Sequence, residues 1–426
     1  MVAAKNIEIP DWNYNCTSCG KCCRKKYVYL TDDDLKRLDT FKWPSDMDLP
    51  NKRDVEINST TYIAHQEKED ACVYLNLDTE MCRIHEKFGY DAKPLGCKVF
   101  PYNISQTFKG NYSVIGRFEC PAVRENNGNS IANRMRDIRS FIDEMELEKS
   151  PDFDSELCAG LSQEKMSQIM RSFYQNIFNN TELQAMEKMI LSMMALDRIE
   201  KLGSEFINEM DLRELFPSFW ERLIEDAKIK AATEMKISRS IVWRFLTILT
   251  SFLRRDEEII HKGAMTRLRR FKELTKLFFG NINLREFGAD HPDYAMDRSL
   301  LFGTEIDMSD SDVWELCFDL IKIRLQSWQF FGPTHYNLTF FRGMRLLFVS
   351  YTLIVALAKW RAIANGASKI TVEDVDYAVG EIDTNLGRSA LLSLGFSSAI
   401  QFQLADMEIY SRVLHNLFKK NGNEAG

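Results

Sequence analysis

From about Ile131 onward, apolar side chains recur every three or four residues. Leu183, Met186, Ile190, Met193, Met194, Ile199 and Leu202 form one such series, the spacing that lays a stripe down one face of an α-helix. Further amphipathic stretches cover Ser238–Arg255, Thr266–Phe279, Asp312–Gln329, Phe340–Ala362 and Ser397–Lys419, and Thr371, three residues before Asp374, is placed to cap another. The longest apolar run, Leu346–Ala358, falls short of the roughly 20 residues a bilayer requires and predicts a buried helix. Before Ile131 the pattern is different. Pro44, Pro50, Pro94, Pro101 and Pro121 interrupt short β-prone stretches such as Lys26–Leu30 and Tyr112–Ile115, which predicts a loop-rich segment with few regular elements. The expected fold is mainly α: a small loop-rich module over residues 1–125 and a larger all-α domain over 131–420, joined by the polar stretch Arg124–Ser130 (RENNGNS).

Composition sharpens this division. The chain has 426 residues, 45% of them hydrophobic and 27% charged, enough to bury the cores of two domains. Its net charge of -7 gives no global attraction to nucleic acid or to an anionic membrane, so neither is expected as a partner. The most basic stretch, Arg267–Lys272 with Lys276, reads as a solvated helix face. The polar start MVAAKNIEIPDWNYN lacks the apolar stretch of a secretory signal, and the protein is expected in the cytoplasm. Cysteine usage changes the picture most. Eight of the ten lie between positions 16 and 120, and only Cys158 and Cys317 follow. In a reducing compartment such a concentration points to metal ligation rather than disulfides.

The run Cys16-x2-Cys19-x2-Cys22-Cys23 sets thiolates two residues apart, with Gly20 to turn the backbone between them. Its first three members have the spacing of the bacterial ferredoxin run, whose fourth ligand is a distant cysteine followed by proline, and Cys120-Pro121 supplies that pair. The same spacing also suits zinc bound by four cysteines. The candidate metal ligands are Cys16, Cys19, Cys22, Cys23, Cys72, Cys82, Cys97 and Cys120, enough for two four-ligand sites or for one site with thiols in reserve. Adjacent Cys22 and Cys23 are expected to project differently, so that they need not serve one ion. Cys158, Cys317 and the scattered histidines are left out. Without cohesion from bound metal, such a loop-rich segment is poorly held together.

The order Cys16-Thr-Ser-Cys19-Gly20-Lys-Cys22-Cys23, Cys72-Val-Tyr-Leu, Cys82-Arg-Ile-His-Glu and Lys93-Pro94-Leu-Gly-Cys97-Lys98-Val-Phe100-Pro101, closed by Cys120-Pro121, resembles the CxxCxxCC (YkgJ-type) cysteine-cluster family of zinc- or iron-chelating proteins. The resemblance covers about 110 residues. This chain has His85 where the family usually shows Tyr, and Lys93 and Lys98 where it usually shows Arg. The family includes flagellin lysine N-methylases, of similar length and with a helical C-terminal part. The resemblance therefore implies an iron–sulfur cluster, [4Fe–4S] by preference, or zinc, with S-adenosylmethionine as a second cofactor and flagellin or a similar protein as substrate in the methylase case.

Other signatures are absent from the sequence: no G-x-G-x-x-G, P-loop, H-E-x-x-H, G-x-S-x-G or kinase motif occurs. No catalytic residue is assigned. The reading is an iron–sulfur or zinc cysteine-cluster protein with a helical domain for a partner or substrate. Protein lysine N-methyltransferase and purely structural zinc protein are the alternatives.

Overall fold

A computed structural model describes residues 6–419 apart from 25–26, 45–52, 58, 67–70, 146–153, 255–271, 273–274, 277–280, 284–294, 390–391 and 393–394. The helix expected over Thr266–Phe279, and the basic stretch within it, lie largely outside the described residues.

The N-terminal part is built from short pieces, as its prolines and turn residues require. Strand β1 (Ile7–Glu8) is followed by a 3-10 turn at Lys21–Cys23, helix α1 (Asp32–Asp39), the hairpin β2 (Asp54–Ile57) and β3 (Thr60–Ile63), and the pair β4 (His65–Gln66) and β5 (Ala71–Cys72). Then come α2 (Arg83–Phe88), α3 (Leu95–Val99), β6 (Tyr102–Gln106), β7 (Tyr112–Gly116) and α4 (Pro121–Arg124). Asp34 organises this lobe. It completes a capping box with Thr31, accepts Leu95 N–H at 3.1 Å and pairs with Arg37, so one buried carboxylate ties α1 to the segment that carries Cys97.

β6 and β7 pair antiparallel, Tyr102 opposite Gly116 and Gln106 opposite Tyr112, and β1 joins β7 in parallel. All five β7 residues are buried, because both faces are covered. Gln329, from the helical part, reaches this sheet. Its amide nitrogen donates to Ser113 Oγ at 3.0 Å and to Asn103 O at 3.2 Å, and its oxygen accepts from Asn103 Nδ2 at 2.6 Å. One large core accordingly runs from Trp12, Tyr102, Val114 and Phe118 through Ile138 into the helices. A second, small core holds ten buried residues between Leu30 and Ile84.

The helical part comprises α5 (Met135–Glu144), α6 (Gln163–Phe173), α7 (Ala185–Leu202), α8 (Ser204–Glu209), α9 (Leu212–Ala232) and α10 (Arg239–Phe252). It continues with α11 (Arg298–Gly303), α12 (Glu315–Gln326), α13 (Phe340–Ala364), α14 (Val372–Asn385), α15 (Gly395–Leu404) and α16 (Met407–Phe418). The helix starts follow local chemistry. Thr371 caps α14, with Asp374 in the capping box. The single helix expected over Ser397–Lys419 is broken in two because the Asp406 carboxylate accepts Glu408 and Ile409 N–H, each at 3.1 Å, and begins a new helix. A short antiparallel pair, Asn281–Asn283 with Ala295–Asp297, also sits in this part.

α13 contains the Leu346–Ala358 run and is buried as expected. It is the one helix among the described residues long and apolar enough to cross a membrane, yet 89% of its apolar window is inside the protein. Lys359, near its end, is 1% exposed and donates to Leu417 O at 2.8 Å. Burial pulls its pKa down to about 8. Between there and the ordinary lysine value the unfolded chain holds the extra proton, so stability should rise with pH across that window. Denaturant titrations at a series of pH values should show this slope in the wild type and lose it in Lys359→Met.

Candidate metal centre

Backbone geometry prepares several thiols to become thiolates. Ser18 takes a left-handed conformation (φ 56°) and its N–H donates to Cys16 Sγ at 3.4 Å. Gly20 follows with φ 66° and opens the 3-10 turn that carries Cys22 and Cys23. A Cβ on Gly20 would stand 2.3 Å from Glu80 Oε2 and 3.2 Å from Glu80 O, and Glu80 is held by Arg24. Gly20→Ala therefore adds a left-handed strain of about 1–2 kcal/mol to a clash with the Glu80 carboxylate and a tight contact with its carbonyl. The expected outcome is a clear loss of bound metal, measured by elemental analysis of the purified variant.

Cys72 ends β5; Leu75 N–H donates to its carbonyl at 2.9 Å, and the backbone N–H groups of Tyr74 and Leu75 favour its thiolate. Cys82 bridges to Leu75 and stands just before α2. Cys97 lies within α3, begun by Pro94. Cys120 is the N-cap of α4, with Pro121 at the first helical position. Proline loses nothing there; Val123 and Arg124 N–H donate to Cys120 O at 3.1 and 3.2 Å, and the backbone N–H groups of Ala122 and Val123 favour the Cys120 thiolate. The Cys-Pro pair thus has a local physical meaning: the helix start sets its N–H groups beside the Cys120 thiol.

Burial works against thiolate formation in the protein without metal. It pushes Cys72 up to about 12 and Cys120 up to about 11, against which their backbone N–H donors pull down. Cys97 is also raised well above the ordinary thiol value, by burial and then by the nearby Cys72 and Cys82. Cys22 is exposed while Cys23 packs against the small core. Their sulfurs are nevertheless 4.0 Å apart across the tight 3-10 turn, and the hydrogen bond to Cys22 followed by burial raises Cys23.

Seven of the eight cysteines, Cys16, Cys19, Cys22, Cys23, Cys82, Cys97 and Cys120, line one cavity of about 1480 Å³. Cys72 is buried behind it. The cavity is a cleft between the cysteine-bearing lobe and helices α5 and α14, and α14 contributes Asp376, Tyr377, Gly380 and Glu381 to the far wall. None of these was marked in the sequence, since no motif announces a wall residue some 250 positions from Cys120. Arg124 of α4 spans the join, donating to Asp376 from Nε at 2.5 Å and Nη2 at 2.8 Å. Gly380 leaves room for it: a Cβ there would lie 2.5 Å from Arg124 Nη1.

Lys98 is engaged by Glu144 at 2.7 Å, and Lys93 stands 5.6 Å over the Tyr90 ring. Burial raises the Glu144 carboxyl, but the hydrogen bond and charge of Lys98 outweigh it and leave the group below its ordinary value. His85 also lines the cleft, edge-on to Tyr90. All ten cysteines are free of disulfides, and Cys158 and Cys317 are buried elsewhere in the large core. Among the described residues no three His, Cys, Asp or Glu side chains are gathered around one point as a single ion gathers them. The thiols are instead spread along the cleft wall. Such an all-sulfur donor set suits soft metals, zinc and iron–sulfur clusters.

The family model described as CxxCxxCC, "putative zinc- or iron-chelating domain", matches residues 15–118. Over these residues the chain is similar to that domain. The match ends two positions before Cys120, which the fold nevertheless returns to the same cleft. An uncharacterized protein of Methanocaldococcus jannaschii is 28% identical over 117 residues, 26% of this chain. The match spans 37% of that relative's length. No solved structure matches. The matched segment makes up one wall of the cleft, and residues beyond it supply the other.

Proposed function

We propose that this is an iron–sulfur protein of the reducing cytoplasm in which Cys16, Cys19, Cys22 and Cys120 hold a cluster, [4Fe–4S] in type, at the wall of a substrate cleft. The observation that carries the reading is the open cleft itself, lined by seven cysteines on one side and by helices α5 and α14 on the other. Structural zinc sites are closed by their four ligands. Here Cys16, Cys19 and Cys22 are exposed to the cleft, and its volume exceeds the roughly 300–1,000 Å³ of ordinary ligand pockets. A cluster also spreads its thiolates more widely than one ion does, in keeping with thiols arrayed along a wall. The cluster, when bound, would supply a redox or Lewis-acidic centre. The chain supplies its N–H donors, the Arg124–Asp376 clamp that fixes the two walls, and the surface that orients a substrate.

One feature of the walls favours a cationic substrate, and with it the lysine N-methyltransferase reading. Ten acidic and seven Lys or Arg side chains line the cleft, together with Tyr14, Tyr90, Phe100, Tyr102 and Tyr377. Carboxylates and ring faces both attract an ammonium group. The test is a paired measurement on anaerobically purified protein: the paramagnetic resonance spectrum after reduction, and methyl transfer from S-adenosylmethionine to flagellin. A cluster signal that shifts when S-adenosylmethionine is added, with transfer lost in Cys19→Ala, is the expected result. A cluster signal without transfer to any lysine-rich protein would remove the methylase reading alone. A sample with no cluster signal would remove both.

A further inference from the structure

Cys22 and Cys23 are adjacent in the chain, and the 3-10 turn that carries them sets their sulfurs 4.0 Å apart, close enough for one thiol to hydrogen-bond the other. The turn is pinned on both sides. Cys23 N–H donates to Gly20 O at 2.9 Å and Arg24 N–H to Lys21 O at 3.2 Å, while the Arg24 side chain is paired with Glu80. The two thiols differ in access. Cys22 is exposed on the cleft wall, whereas Cys23, on the same wall, packs against the small core between Leu30 and Ile84.

That asymmetry suits a two-step exchange with a small disulfide. An accessible thiol must meet the oxidant, and a second thiol within reach of the first must resolve the product. Cys22 has the access, and Lys21 beside it on the cleft wall carries the charge that meets the carboxylates of glutathione. Cys23 has the reach.

We propose that Cys22 and Cys23 form a redox modification site, which closes to a disulfide between adjacent residues by exchange with oxidised glutathione. The Cys22 thiolate attacks one sulfur of glutathione disulfide, forming a mixed disulfide and releasing one glutathione thiolate. The Cys23 thiolate then attacks the Cys22 sulfur and releases the second. The cysteine pair gives up two electrons and two protons, and glutathione disulfide takes them up as two thiols. Because the peptide bond between the two residues is trans, their Cα atoms stay about 3.8 Å apart, below the roughly 4.4–6.8 Å of ordinary disulfides. A bond closed under that constraint is strained and readily reduced, so it stays open in a reducing environment and closes as the thiol pool is oxidised. Closure withdraws Cys22 from the cluster ligands. This effect on the cluster rests on the cleft reading, and the disulfide itself does not.

The test uses full-length protein stripped of metal without oxygen, equilibrated with glutathione buffers of rising disulfide content, alkylated and digested with trypsin. Lys21 and Arg24 flank the pair, so trypsin releases Cys22–Arg24 apart from every other cysteine. Mass spectrometry should find this peptide unalkylated and lighter by two hydrogen atoms in the oxidising buffers. Cys23→Ser should instead retain glutathione on Cys22, and Cys22→Ser should leave Cys23 alkylated. Iron and sulfide loading of the oxidised wild type should fall several-fold and return after treatment with dithiothreitol. A wild-type pair that stays alkylated at every glutathione ratio, that keeps glutathione on Cys22, or that joins Cys22 to a different cysteine would overturn the proposal. Failure of the cleft reading looks different, since the Cys22–Cys23 disulfide then forms while iron loading is the same in oxidised and reduced protein.

Discussion

Cys120→Ala is expected to abolish iron binding, although Cys120 lies nearly a hundred positions beyond Cys22. In the proposed cluster three thiolates from the Cys16–Cys22 loop leave one corner open, and Cys120, whose neighbours are Cys22 and Cys19, is the donor assigned to it. Cys120 sits at the start of α4, where the Ala122 and Val123 N–H groups favour its thiolate and Arg124 fixes the same turn to Asp376. Removing the sulfur therefore removes a placed ligand that solvent does not replace. Iron and acid-labile sulfide should fall to background. Cys158→Ala and Cys317→Ala, whose thiols are buried elsewhere in the large core, should keep the wild-type content. Iron retained in Cys120→Ala would transfer the fourth-ligand role to another cysteine.

Asp383→Ala should give the largest loss of stability. Asp383 is 1% exposed, and Oδ1 accepts from Arg324 Nη2 at 2.5 Å while Oδ2 accepts Glu119 N–H at 3.2 Å. Arg324 is buried as well, and Arg388 stands 3.7 Å from the same carboxylate. Deleting the carboxylate leaves the buried Arg324 guanidinium without its counter-charge, while Arg388 keeps Glu119 at 3.7 Å, a change that costs about 3–5 kcal/mol when one partner of a buried pair is removed. Urea unfolding should register it as a lower midpoint. Burial raises the Asp383 carboxyl, but Arg324 and Arg388 outweigh it and hold it below its ordinary value. The pair's contribution is therefore present above the ordinary aspartate range and lost as pH falls through the depressed value. Asp383→Ala should accordingly flatten the acid limb of the stability curve. Because the Glu119 N–H bonded to Asp383 precedes Cys120, metal content should fall too, though less than in Cys120→Ala.

How much of this was legible in the sequence depends on the range of the interactions involved. The helices were legible because their apolar spacing is local: Leu183–Leu202 and Phe340–Ala362 forecast α7 and α13 within two residues at either end. The break at Asp406 was hidden, since the apolar stripe runs on while a single side chain starts the next helix. The grouping of the cysteines followed from residue type and spacing, and seven of the eight, Cys120 among them, line one cleft. The far wall was not. Asp376, Tyr377 and Gly380 reach the cleft because Arg124 lies across α14 where Gly380 has no side chain, and two partners separated by 252 positions leave no mark in local pattern. Gln329 illustrates the same point, as its bonds to Asn103 and Ser113 join the sheet to the helices.

The most direct measurement is the iron, acid-labile sulfide and zinc content of wild-type protein purified without oxygen. The account predicts brown protein with equal amounts of iron and sulfide per chain. Colourless protein that holds zinc alone, with no labile sulfide after anaerobic iron and sulfide loading, would contradict it.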